Sequence, residues 1–400
     1  MKIGILREGK NPPDKRVPLS PNECRILLES YPKLQIFVQP SPIRCFSDHE
    51  YSELGINLKE NLSECDILMG VKEVKVDDLI SEKKYFFFSH TIKKQAHNRA
   101  LLKAIIQKNI ELIDYETLSY YSGERILGFG RYAGIVGAYN AILGYGLKYN
   151  IFNLKPAHLC KDKLELELEL KKVKLSNIKI AVTGGGRVAN GVFEILSALE
   201  IQKVSVSDFL HKTFDEPVYT QLEPNDYVVK KDGSDYLRSD FFKNPQDYVS
   251  AFIPYTKVTD LLITSHFWDP NSPMLFTWQD MGLADFKIKL ISDITCDING
   301  SVPSTIRATT IECPFYDIDV HSKKELQPFS DDNLTVMSID NLPCELPRDS
   351  SEGFGNDLIN KVLPYLLGSD PDNIIERATI VKNGELMPRF FYLSDYAATF

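Results

Sequence analysis

Short apolar runs and longer amphipathic stretches take turns along the first 110 residues. Lys2 to Leu6, Gln35 to Val38, Ile67 to Lys72 and Lys84 to Ser89 read as strands, each a brief apolar run between polar or turn-forming residues. Between them Ser20-Pro21-Asn22-Glu23 opens a helix with a capping box and a proline at the first helical position. Asp48 to Leu54 reads as a short helix, and Lys94 to Lys108 repeats its apolar positions at the helical period. Strands alternating with helices predict βαβ units and parallel sheets.

The pattern then changes. Ile126 to Leu147 holds 22 residues with one charge, Arg131, which invites a membrane reading. Six glycines, Asn140 and the charged flanks Glu124-Arg125 and Lys148 predict a helix buried inside a protein instead. Lys161 to Lys172 alternates strictly, as a strand would, yet its Leu, Glu and Lys content favours an exposed helix, and a helix is expected. Lys179 to Thr183 reads as a strand, Gly184 to Gly186 as a tight turn, Val188 to Leu199 as a helix and Lys203 to Ser207 as a second strand, one complete βαβ unit. Thr213 to Gln246 is polar and reads as an excursion decorating the second domain rather than as core. Strands resume at Leu261 to Thr264 and Ile288 to Asp293, and a last helix runs from near Gly353 to Leu367.

Composition narrows the function classes. At 400 residues and 43% apolar content the chain is long enough for two or three domains with a sizeable core. A net charge of −9 lacks the basic footprint of a nucleic-acid binder. The apolar run after Met1 ends at Arg7-Glu8, too short for a secretory leader. Seven scattered cysteines, none in a Cys-x-x-Cys spacing, suit reduced thiols rather than disulfides or a metal site. A cytoplasmic protein with no membrane or nucleic-acid partner and no metal is expected.

Chemistry enters at Gly184-Gly185-Gly186-Arg187-Val188-Ala189, which satisfies G-x-G-x-x-A between a strand and a helix. Gly184 permits the turn, Gly186 lets backbone approach a pyrophosphate, and the small Ala189 lets helix pack on strand; Arg187 and Val188 begin the helix. Asp208 follows the second strand, where a carboxylate accepts from the adenosine ribose hydroxyls and repels a 2′-phosphate, which favours NAD over NADP without excluding NADP. The alternative for Asp208 is a cap on the next element.

Three further segments put polar side chains at strand ends: Lys15 to Pro21, Met69 to Glu73 and Phe86 to Gln95. With Asp114-Tyr115-Glu116, Gly128 to Gly134 and Ser338-Ile339-Asp340-Asn341-Leu342-Pro343, they resemble the alanine dehydrogenase and transhydrogenase superfamily. Within it they are most similar to the lysine-forming saccharopine dehydrogenases and the lysine-ketoglutarate reductase half of bifunctional lysine-degrading enzymes. Phe-Ser-His-Thr-Ile-Lys and Ser-Ile-Asp-Asn-Leu-Pro are the stretches particular to that branch.

The resemblance implies an α/β fold of two Rossmann-like domains with parallel sheets and an active site in the interdomain cleft. Residues 1–135 with 345–400 would form a discontinuous substrate domain, and 136–344 the dinucleotide-binding domain. It implies an NAD(P)-dependent oxidoreductase that interconverts saccharopine with L-lysine and 2-oxoglutarate. Lys72 and His90 would be the acid/base pair, and Arg16 would grip a substrate carboxylate. Lys93 and Glu116 would bind substrate and tune charge, with Asp14 where yeast-type enzymes tend to carry Glu; Arg125 and Asp340 would lie near the cofactor. A lysine made less basic by its neighbours suits deprotonation of a secondary amine, and a histidine suits proton shuttling during imine hydrolysis. Saccharopine carries three carboxylates, so an acidic protein needs a locally basic cleft, supplied by Arg16, Lys93 and Arg131, although Arg131 has the alternative of pairing with an internal carboxylate. A stand-alone catalyst is expected, a monomer or small homo-oligomer. Two other readings remain open: an alanine dehydrogenase, which needs room only for pyruvate and ammonia, and a non-catalytic module that holds NAD without turnover.

Overall fold

The computed structural model describes residues 1–330 and 332–398. It divides into two compact units, Met1–Phe129 with Pro347–Phe400, and Gly130–Leu346. In chain order the first unit opens with β1 (Lys2–Ile5), β2 (Gln35–Val38), β3 (Asn57–Leu58), β4 (Ile67–Met69), β5 (Lys84–Phe87) and β6 (Glu111–Asp114). The second unit contributes β7 (Lys179–Thr183), β8 (Gln202–Lys203), β9 (Val218–Leu222), β10 (Val228–Lys230), β11 (Tyr248–Ser250), β12 (Leu261–Thr264), β13 (Leu290–Asp293), β14 (Phe315–Asp319), β15 (Lys324–Leu326) and β16 (Leu334–Met337). The chain returns to the first unit as β17 (Thr379–Lys382) and β18 (Glu385–Leu386).

The first sheet has the order β18-β17-β6-β5-β4-β1-β2-β3, parallel throughout β1 to β6, with β17 and β18 added antiparallel at one edge. Its strands are apolar on both faces, as a sheet covered on both sides requires. Met69, Phe86 and Ile113 pack into one layer, and Leu68, Tyr85, Phe87 and Leu112 into the other. The chain turns one way from β1 to β2 and β3 and the other way from β4 to β5 and β6. That reversal between β1 and β4 is where open α/β sheets leave a crevice at their carboxyl ends.

The second sheet runs β15-β14-β16-β13-β12-β7-β9-β8, with β14 and β15 antiparallel and the rest parallel. Its reversal lies between β7 and β12. The glycine-rich helix, Gly130–Lys148, covers one face. Its interior glycines cost about 1 kcal/mol each in helix propensity, while Ile135, Val136, Tyr139, Ile142 and Leu143 are buried at about 1.5–3 kcal/mol each, so packing outweighs propensity. Two glycines are demanded by contact: a Cβ on Gly134 would stand 1.9 Å from the Val188 carbonyl oxygen, and one on Gly191 1.9 Å from that of Arg131. Among the described residues no helix is long and apolar enough to cross a membrane.

Two expectations are corrected here. The segment Lys203 to Ser207 is not a strand beyond its first residue: Ser205 caps a helix, Val206–His211, by accepting the Asp208 N–H at 3.1 Å, so Asp208 sits in a helical first turn. The polar stretch from Thr213 is not wholly an excursion either. It contains β9, whose Val218, Tyr219, Thr220 and Leu222 are buried and which, not β8, is the neighbour of β7. The adjacent polar pair Thr220-Gln221 concealed that strand. The remainder is a ribbon of β10 and β11 around Tyr227, Phe241 and Tyr248. Lys163–Leu170 is the expected helix, with Leu166 and Leu170 buried and Leu164 and Leu168 exposed.

Candidate active site

Parallel strands bring their carboxyl ends to one edge, so residues far apart in sequence fall into a row in sheet order. In the first unit that row is Asp114 to Glu116 after β6, Ser89 and His90 after β5, Lys72 and Glu73 after β4, and Glu8 after β1. Asp114 ties two of these ends together, accepting the Ser89 N–H at 2.9 Å, the Ser89 hydroxyl at 2.5 Å and the Glu116 N–H at 2.7 Å. Burial pushes its carboxyl up from the ordinary value against those donors.

His90 has φ +52°, a left-handed conformation costly for a non-glycine residue, which turns its ring out of the strand direction. The ring stacks on Phe88 and shares a 2.5 Å hydrogen bond through Nδ1 with Glu73 Oε1. Burial opposes the charge on Glu73, but the bond to His90, the histidine's charge and Lys10 at 3.4 Å outweigh it and hold the carboxyl down to about 2. Glu73 and His90 thus belong to neighbouring strand ends and fix each other.

Glu8 clasps the start of the lysine-bearing loop, accepting the Val71 N–H at 2.6 Å and the Lys72 N–H at 2.9 Å. Enclosure pushes its carboxyl up to about 7; the charge of Asp14 adds to this and the two N–H donors oppose it. Glu8, Lys72 and Glu73 line a cavity of about 370 Å³ at the β1/β4 reversal.

Asp14 and Arg16 are both buried, and the guanidinium meets the carboxylate through Nε at 3.0 Å and Nη2 at 2.6 Å while lying 4.2 Å over the Phe129 ring. Burial works against the charge of Asp14, yet the charge and hydrogen bonds of Arg16 overcome it, and Lys72 adds to them, so the carboxyl lies well below the usual range. Lys72 therefore acts on the Asp14–Arg16 pair. Glu116 accepts from Arg125 at 2.8 Å and pairs with Lys93 at 3.4 Å, and its second oxygen, although buried, makes no hydrogen bond. Cations and a spare carboxylate oxygen along one edge suit a substrate that carries carboxylates and an ammonium group together.

The second unit presents backbone rather than side chains. Gly184 has φ +94°, and a Cβ there would stand 2.9 Å from the His266 Cα. A Cβ on Gly186, the residue that precedes the helix Arg187–Ala198, would meet nothing within 4 Å; an uncrowded helix N-terminus is the kind of place at which backbone N–H groups hold phosphate. His266, at the end of β12, is enclosed and bonds the Thr183 hydroxyl at 2.6 Å; burial lowers its pKa to about 4 and keeps it neutral. Glu223, at the end of β9, lies so close that a Cβ on Gly185 would stand 1.9 Å from its Oε1. Asp340 is exposed in the turn that follows β16.

The structure gives several of the residues singled out from sequence protein partners of their own. Asp208 pairs with Lys212, just past the end of its helix, at 2.9 Å, while Glu223 stands where the strand beside β7 ends. Arg125, expected near the cofactor, bonds Glu116. Arg131, for which both substrate binding and pairing with a carboxylate of the protein were open, is held by Glu194 through Nε at 2.5 Å and Nη2 at 2.8 Å. The Val188 side chain packs toward Gly130, which leaves only its backbone N–H for a ligand. Glu8, Glu73, Glu223 and His266 were not singled out from sequence. Glu8 and Glu73 carried a usable signal, since each lies at the carboxyl end of an apolar run.

Residues 4–136 match the family model described as alanine dehydrogenase/PNT, N-terminal domain. Over 98% of its length the chain is 30% identical to the mitochondrial alpha-aminoadipic semialdehyde synthase of Rattus norvegicus, of which it spans 47%. It thus covers about half the length of that relative. It is 24% identical to a saccharopine dehydrogenase (NAD(+), L-lysine-forming) of Yarrowia lipolytica, over 90% of both chains. A solved L-alanine dehydrogenase, 16% identical, superposes over the whole of both chains with a TM-score of 0.62, which establishes the two-sheet Rossmann-like fold.

Proposed function

We propose that this chain is an NAD-dependent amino-acid oxidoreductase of the lysine-forming saccharopine dehydrogenase type, interconverting saccharopine and water with L-lysine and 2-oxoglutarate. The observation that carries the reading is the row at the first sheet's carboxyl edge, where Lys72 and the Glu73-bonded His90 stand among Arg16, Lys93, Arg125 and Glu116. The nearly full-length similarity to lysine-forming saccharopine dehydrogenases supports the choice of substrate.

A bound nicotinamide coenzyme would accept the hydride, with its pyrophosphate on Gly184 to Val188 and its ribose hydroxyls facing Glu223; Asp340 is assigned to its neighbourhood. In the oxidative direction Lys72, whose backbone N–H is held by Glu8, removes the proton from the secondary amine of saccharopine. Once the substrate is an imine, His90 takes a proton from the attacking water and returns it as the carbinolamine collapses, while Glu73 holds the ring. Arg16, aimed by Asp14, and Lys93 bind substrate carboxylates, and the spare oxygen of Glu116 accepts from an ammonium group.

Oxidation of NADH or NADPH, followed by nicotinamide absorbance, tests this with lysine plus 2-oxoglutarate in one mixture and pyruvate plus ammonium in another. Turnover only with the first pair is expected. Turnover only with the second makes the chain an alanine dehydrogenase, and silence in both with NADH still bound makes it a binding module.

A further inference from the structure

The end of β9 carries more than one charge. Glu223 Oε2 lies 3.4 Å from Nη1 of Arg238, whose side chain is 68% exposed and projects from the short helix Arg238–Lys243 of the ribbon region. The Gln221 amide donates to Glu223 Oε1 at 3.1 Å and to the Gly184 carbonyl at 3.3 Å, while its oxygen accepts from Lys203 Nζ at 2.8 Å. The carboxylate therefore pairs with one cation directly, Arg238, and is joined through a neutral amide to a second, Lys203, and to the turn that would hold the pyrophosphate. A carboxylate alone accepts from ribose hydroxyls and repels a 2′-phosphate; two cations without it would attract that phosphate.

We propose that Glu223 selects the coenzyme, and that Arg238 and Lys203 form a latent 2′-phosphate site which Glu223 keeps closed. The inference rests on the nucleotide reading of the glycine turn and extends it to the ribbon region, whose Arg238 becomes a specificity residue. Arg238 orients Glu223 when the ribose hydroxyl is free, and becomes the phosphate ligand once the carboxylate is gone.

Fluorescence titration of NADH and of NADPH, without any substrate, reads both affinities directly. The unaltered protein is expected to bind NADH about tenfold or more tighter than NADPH, since a repelled charge costs at least that factor. Glu223→Ser should tighten NADPH about tenfold, and adding Arg238→Ala should remove most of that gain. The gain should also shrink as salt is raised, because it rests on exposed charge. Arg238→Ala alone, a surface change, should leave the unfolding midpoint in place and loosen NADH no more than a few-fold. An unchanged NADH/NADPH ratio in Glu223→Ser overturns the proposal, as does a gain that survives loss of Arg238 and Lys203. Failure of the unaltered protein to bind either coenzyme overturns the nucleotide reading itself, and the proposal with it, which separates the two failures.

Discussion

The two sheets solve the problem of building a site at their carboxyl edges in different ways. In the first unit the edge is crowded with charged side chains that hold one another: Glu73 with His90, Asp14 with Arg16, and Glu116 with Lys93 and Arg125. In the second unit the edge around the β7 turn is mostly backbone, shaped by Gly184 and Gly186, with one carboxylate, Glu223, set beside it. The first arrangement suits moving protons and holding a charged substrate. The second suits cradling a large anion whose chemistry is its own. Substitutions should therefore act on turnover in the first unit and on coenzyme affinity in the second.

The strongest break in that contrast comes from the proposed proton-transfer pair. Lys72→Met and His90→Ala are each expected to lower kcat by roughly 10²- to 10⁴-fold, the usual worth of a positioned acid or base. NADH affinity should stay within about twofold, because neither residue belongs to the glycine turn. Stopped-flow turnover with lysine and 2-oxoglutarate, paired with an NADH titration, checks both halves. A variant that loses NADH binding along with turnover would mean that the division of labour is wrong.

Next in size is the buried pair. Asp14→Asn removes the carboxylate from the buried pair with Arg16, and breaking a buried pair costs about 3–5 kcal/mol. Chemical unfolding should show this as an early transition in the first unit. Replacing an exposed partner such as Glu29, which pairs with Arg25 at the surface of the first unit, should cost under about 1 kcal/mol. Equal losses at the two pairs would remove burial as the distinction.

A smaller effect concerns pH. The Glu73 carboxyl is held down to about 2 in the folded chain, below the 4.5 of a free side chain. A depressed carboxyl contributes stability that is present above about pH 4.5 and is lost as pH falls through the folded value near 2. Glu73→Gln should therefore flatten the acid limb of the unfolding curve between those limits. Glu8 has the opposite sign: raised to about 7, it lowers stability as pH climbs from 4.5 to 7, so Glu8→Gln should remove a decline in that window.

What could be read without a structure follows the same division. The strands β1, β2, β4, β5, β7 and β12 are plain apolar runs, and the residues at the ends of β4 and β5 include Lys72 and His90, so the first-unit site was legible wherever side chains follow a strand directly. The Glu73–His90 contact was not, because it depends on which strands are neighbours in space, and the Glu116–Arg125 contact depends on how the segment after β6 folds back on itself. The second-unit turn was legible because G-x-G-x-x-A is local. The acid proposed as its partner was not: β9 hides behind Thr220 and Gln221, and Glu223 lies well beyond the interval of about 20 residues at which such folds place that acid. Asp208 fell at the conventional spacing, and Ser205 had already committed it to a helix.

That substitution of one acid for another gives the smallest expected effect and the sharpest use of the comparison. Asp208 forms an exposed pair with Lys212 four residues on, worth about 0.3–0.5 kcal/mol, and its backbone N–H, not its carboxylate, serves the Ser205 cap. Asp208→Asn should leave NADH affinity within about twofold and stability within about 0.5 kcal/mol, since the cap survives. If sheet order rather than sequence spacing decides which carboxylate meets the ribose, Asp208→Asn and Glu223→Ser must differ in a coenzyme titration done side by side. A tenfold loss of NADH affinity in Asp208→Asn, with Glu223→Ser silent, would return the ribose to Asp208 and require the helix Val206–His211 to rearrange when coenzyme binds.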